Sequence, residues 1–175
     1  QKDYRISHPD LSANLPLNVN LKLLSKKLEV SPCLANKILY REDKNTLYLY
    51  AREESQYLTL LRQWVKSIAK EALIPRLQFH ADSMGLSYEK VFIKNQKTRW
   101  GSCSSRKNIN LNQNLVFLDP QLVDYLLIHE LSHLRHPNHS RQFWLHVQKY
   151  DLNYKLHDRQ LNKSVVDLPL WAHLP

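Results

Sequence analysis

At 175 residues, 43% hydrophobic and 23% charged, the chain is long enough to bury its own core and ordinary in composition for a globular protein. No run approaches the roughly 18 apolar residues of a membrane span, and the opening QKDYRISHPD lacks the apolar stretch of a secretory leader, so a cytoplasmic, membrane-free protein is expected. The net charge of +9, from 25 Lys and Arg against 16 Asp and Glu, favours anionic partners, while Cys33 and Cys103, far apart and without C-x-x-C spacing, suggest neither a disulfide framework nor a cysteine zinc site.

In chain order, Leu17, Val19 and Leu21 alternate with polar residues as a strand would, yet LKLLSKKL suits a short helix equally. KILY and TLYLY flank the polar REDKN and predict two antiparallel strands joined by a turn. From about Glu54 the period changes to helical, with Tyr57, Leu61, Trp64, Ile68 and Ala72 on one face; Pro75 is expected to kink or restart the helix, which runs to Met84 with Gly85 as its left-handed cap. YEKVFIKN and INLN predict a β-hairpin around KTRWGSCSSRKN. Asp119 and Pro120 form a start signal for a helix to about Arg135, ended by Pro137. A further helix begins near Ser140 with Phe143, Trp144, Val147 and Tyr150 on its apolar stripe, and a Pro-containing tail, VVDLPLWAHLP, closes the chain. Strands, long helix, hairpin and two helices in this order indicate an α+β fold.

The residues that carry chemistry are HELSH, positions 129–133. On a helix, His129 and His133 stand four apart on one face, about 6 Å along the axis, so two imidazoles can converge on one tetrahedral ion. Glu130 projects beside them, badly angled for a ligand but placed to take a proton from water as general base. Three histidines and a glutamate on an apolar helix would be costly to desolvate without a shared partner, and a metal satisfies them together.

His139 completes the pattern. His136 lies close to two full turns from His129, but about 10 Å along the axis, and three collinear histidines cannot converge on one ion. Pro137 forces the chain to break and Asn138 can turn it back, which selects His139 as third ligand. The ligand set is therefore His129, His133 and His139, the catalytic residue Glu130, and the expected cofactor Zn2+.

RWGSCSS, LDPQLVDYLLIHELSHL and NHSRQFW, in this order and at this spacing, resemble the YgjP-like metallopeptidase family, related to SprT-like proteases. The resemblance spans roughly residues 57–162 and implies a zincin-like fold, a long helix and a β-hairpin or antiparallel sheet packed on an H-E-x-x-H helix. It implies the same ligands and base. Family members usually carry a glycine after S-S-[KR], where this chain has Lys107-Asn108. The expected organisation is an N-terminal strand-containing region, 1–53, and a metallohydrolase domain, 54–175, together one compact unit.

The function expected is zinc-dependent hydrolysis of a peptide or protein, with two alternatives. Some members of the resembled family are described as nucleoside triphosphate pyrophosphatases, and the basic segment 90–107 would then hold phosphates. A nucleic-acid-associated protease or binding module is the other, using the same segment, in which six basic residues and no acid occur from Lys90 to Leu118. Arg99, Trp100 and Ser102 could line the cleft, but a solvated charge and core packing are the simpler readings of Arg99 and Trp100.

Overall fold

The computed structural model describes residues 15–173; the opening decapeptide and the last two residues of the tail lie outside them. The ambiguous stretch after Leu15 resolves into both alternatives in succession. Strand β1 (Asn18–Leu21) is followed by a single 3₁₀ turn (Lys22–Leu24), and Ser25 in the left-handed region turns the chain into β2 (Lys26–Leu34). β3 (Leu39–Asp43) and β4 (Thr46–Ala51) are antiparallel as expected, although β3 takes in Arg41–Asp43, assigned to the turn by their polarity. The four strands form one sheet in the order β1-β2-β4-β3, with β2 and β4 parallel. Val19, Leu21, Leu28, Val30, Leu47 and Leu49 face inward with the period of two that a half-buried sheet requires.

Helix α1 (Tyr57–Met84) crosses this sheet and is the scaffold of the molecule. Pro75 does not break it: the proline lies on the exposed side, where water can serve the carbonyl it leaves undonated, while Leu73 and Leu77 stay fully buried on the other. Gly85 (φ 63°) caps the helix, its N–H donating to the carbonyls of Ala81 and Asp82.

A second sheet follows, with β5 (Lys90–Lys94), β6 (Gly101–Cys103) and β7 (Asn108–Asn112) in the order β5-β7-β6. Here the sequence reading needs correction. YEKVFIKN and INLN are neighbours but parallel, and the hairpin is β6–β7. The short β6, hidden in a polar stretch with little alternation, was not legible from period alone. Its turn places Lys107 at φ 57°, the left-handed conformation in which a glycine carries no Cβ penalty, which accounts for the glycine usual there in the family.

A 3₁₀ segment (Gln113–Phe117) leads to α2 (Pro120–Ser132), which opens with Pro120 in its first turn, although the Asp119 side chain makes no cap bond. It ends three residues earlier than the pattern predicted, in a turn through Arg135. Ser140 caps α3 (Arg141–Tyr150), its hydroxyl accepting from the Phe143 N–H at 3.3 Å. The polar YKLHDRQLNK forms α4 (Tyr154–Lys163), a helix with one buried residue, Leu161, and so without an apolar stripe to announce it; a short α5 (Leu170–His173) follows.

α1 and α2 are tied by Arg76, which donates two bonds to the Asp124 carboxylate (2.6 and 2.8 Å), and by His80 at 2.7 Å from the same group. Burial pushes the Asp124 carboxyl up, but the bonds from His80 and Arg76 outweigh it and hold it below the usual carboxylate range. A carboxyl with a depressed folded pKa adds stability that is present above its unfolded pKa, about 3.9, and is lost as pH falls through the folded value. Asp124→Asn should therefore cost about 1 kcal/mol, or ~3 °C in Tm, at neutral pH after allowance for screening at this partly exposed pair, with the gap to the parent closing in acid melts.

Candidate active site

His129 and Glu130 lie in the last turn of α2, and His133 is its C-terminal cap residue. After the turn Leu131–Arg135 the chain doubles back through Pro137 and Asn138, so that His139 faces α2 from the start of α3. One ligand nitrogen from each of His129, His133 and His139 falls within 4.8 Å of the other two, and the Nε2 atoms of His129 and His139 are 3.1 Å apart. His136 is elsewhere, its ring edge-on to His146 at 5.5 Å.

Each ring is held from behind. The His133 Nδ1–H donates to the His136 carbonyl (3.1 Å). Tyr125 donates its hydroxyl hydrogen to Asp158 Oδ1 (2.8 Å), so at 3.2 Å it accepts from the His129 Nδ1–H. Both bonds fix the tautomer and leave Nε2 a bare lone pair aimed at the common point. Phe143, fully buried, stacks on His133 (4.5 Å) and lies edge-on to His129 and His139, while Trp144 stacks on His139 and Tyr154 on Trp144. Tyr125 and Asp158 were not singled out from sequence; a tyrosine inside an apolar helix and an aspartate in a polar one give no signal until the fold joins them.

Burial, and then the neighbouring His133 and His139, push the His129 imidazole down to about 3, and burial also lowers His133. These rings are neutral bases at physiological pH, the form that binds metal. Glu130 is 5% exposed, and burial raises its carboxyl to about 7 against the opposing charge of Arg99. Such a group sits near the pKa that suits a general base at neutral pH.

Gly101 explains why β6 can approach this closely. A Cβ there would stand 2.9 Å from both Cγ and Oε1 of Glu130. The strand is held in place by the buried Asn112, whose amide donates to the carbonyls of Gln96 (2.7 Å) and Arg99 (2.9 Å) and anchors the loop before Trp100. Gly101→Ala should thus displace the Glu130 carboxylate and lower turnover by about 10²-fold, the scale of an ångström's misplacement, with metal content unchanged by elemental analysis. Trp100 packs partly against the core, and Arg99 is exposed.

The three rings turn one nitrogen each on a common point, His129 and His133 with their Nδ1–H groups already engaged. Three His nitrogens fit a tetrahedral metal with an open fourth position, for which about 2.0–2.1 Å bonds imply nitrogens roughly 3.3 Å apart. A histidine triad of this geometry with a buried glutamate between its first two members, on a helix packed beside a small sheet, defines a metal-dependent hydrolase of the metallopeptidase type. The model of the YgjP-like metallopeptidase domain matches residues 16–164, and the chain belongs to that family. No curated protein matches it. Among solved structures it is similar to the metallopeptidase zymogen abylysin of Pyrococcus abyssi, with 28% identity and a TM-score of 0.46 over 52% of this chain and 93% of that one. It is also similar to the metallopeptidase zymogen jannalysin of Methanocaldococcus jannaschii, with 22% identity and a TM-score of 0.46 over 54% and 94%. Among the described residues no helix is long and apolar enough to cross a membrane.

Proposed function

We propose that the chain is a zinc peptidase in which His129, His133 and His139 hold the ion and Glu130 is the general base. The observation that carries this is the convergence of three imidazole nitrogens within 4.8 Å at the C-terminal end of the helix that bears Glu130, buried and with its carboxyl raised to about 7. A bound zinc ion supplies Lewis acidity, lowering the pKa of water and polarising an acyl oxygen. Glu130 accepts the proton of the attacking water and returns it to the leaving amine nitrogen. Its burial keeps bulk water from competing for that proton, and Gly101 leaves room for the carboxylate to turn between the two tasks. The two thiols, Cys33 and Cys103, are unpaired and fit a reducing compartment such as the cytosol.

In this reading Tyr125 and Asp158 act on the ion through His129. Tyr125→Phe should weaken zinc binding about 10–100-fold in a chelator competition, because the Nδ1–H loses its acceptor and the ring its tautomer. Unchanged affinity would return Tyr125 to core packing.

The substrate is tested by offering the zinc-loaded protein an unfolded polypeptide and, separately, nucleoside triphosphates. Peptide-bond cleavage that a chelator stops and zinc restores is expected. Release of pyrophosphate with no cleavage would replace the peptidase reading with the phosphoanhydride one.

A further inference from the structure

The second sheet has two faces, and the hydrolytic site uses only one end of it. Val91, Ile93, Ile109 and Leu111 point into the core, which puts Lys90, Phe92 and Lys94 of β5, Asn108 and Asn110 of β7 and Ser102 of β6 on the opposite side. Strand register aligns Phe92, Asn110 and Ser102 in one row across the three strands. At two strand spacings, the row is about 10 Å long.

Its composition is unusual for a solvated sheet face. Phe92 stands 43% exposed near the middle of an edge strand, with the Lys94 ammonium 5.8 Å from its ring centroid. Asn110 donates to Ser102 Oγ (3.0 Å), which leaves further amide and hydroxyl positions for a ligand. Lys90 and Lys94 flank Phe92 on this face, Lys97, Arg99, Arg106 and Lys107 of the loops on either side of β6 are exposed as well, and among the described residues none of the six is in an ion pair. No acid interrupts residues 90–118, which Glu89 and Asp119 bound on either side.

We propose that this face binds single-stranded nucleic acid. The cations of β5 and of the adjoining loops supply the attraction to a phosphate backbone, an exposed ring supplies a surface on which a base can stack, and the Asn and Ser side chains offer donors and acceptors to base edges. An acidic peptide would use the cations alone and leave Phe92 and the amide row without a role. A duplex hides its base faces from a flat sheet. Gly101, which abuts Glu130, pairs with Leu111 on the other face of the sheet, so binding to this face does not depend on the metal.

The test uses the full chain, with and without metal, and labelled single-stranded oligonucleotides of about twelve nucleotides, within the span of known single-strand sites, followed by fluorescence anisotropy. Phe92→Ala is expected to weaken binding by about fivefold to a hundredfold, the range for loss of one stacked base. The pair Lys90→Ala and Lys94→Ala should lower the slope of log affinity against log salt by about 1.4, two phosphate contacts on a single strand. Because all three side chains are exposed, thermal midpoints should stay at the parent value, which separates lost contacts from lost folding. Affinity unaffected by Phe92→Ala, or displacement by heparin or an acidic peptide as readily as by an oligonucleotide of equal charge, would overturn the proposal in favour of an unselective polyanion patch.

Discussion

Glu130→Gln is expected to abolish peptide hydrolysis, with a loss of about 10²–10⁴-fold in kcat, while the protein still binds one metal ion per chain. The amide has the shape of the carboxylate and can occupy the same space against Gly101, so the helix and the three histidines are undisturbed. It cannot accept a proton. Burial already disfavours the charged form of Glu130, and the neutral variant should therefore melt at or slightly above the parent temperature. Retained turnover in the metal-loaded variant would remove Glu130 from the mechanism, and loss of metal together with turnover would make it a ligand instead.

The second large effect separates two histidines three residues apart. His139→Ala should weaken zinc binding by more than the roughly 10–100-fold that follows loss of a group which only orients a ligand, because it removes one of three converging nitrogens and uncovers the stack on Trp144. His136→Ala should change affinity little. What His136 gives the site is its backbone carbonyl, the acceptor for His133 Nδ1–H, and alanine keeps that carbonyl. Chelator competition on the two purified variants measures the difference directly, and the reverse ranking would contradict the arrangement of the turn at Pro137.

How much of this was legible in the sequence follows from where the signals lie. The H-E-x-x-H spacing has meaning only on a helix, and the same residues carry both the helix signal and the ligands. The site could thus be read locally, although α2 ends at Ser132, before Pro137, and the turn beyond it brings His139 and not His136 beside His129 and His133. Sheet topology was not local. Nothing in INLN distinguishes a parallel from an antiparallel neighbour, and the three-residue β6 is too short for its alternation to register. The groups behind the ligands were hidden for a different reason: Tyr125 and Asp158 lie far apart in sequence, and α4 shows no apolar period because Leu161 alone is buried there. Gly101 is one of only two glycines in the chain, and its reason is steric, the nearness of Glu130, and not a backbone turn. Lys107 is the counterexample, a left-handed position that this chain fills with a side chain.

The central claim, that three histidines hold one zinc ion beside Glu130, is tested most directly by X-ray absorption at the zinc edge of the loaded protein. The account predicts a first shell of nitrogen and oxygen scatterers at about 2.0–2.1 Å with the outer-ring scattering of three imidazoles. Cys103 lies outside the histidine group, and burial and then Glu130 raise its thiol to about 11, so no sulfur ligand is expected. A sulfur scatterer at about 2.3 Å, or a shell with fewer than three imidazoles, would contradict it.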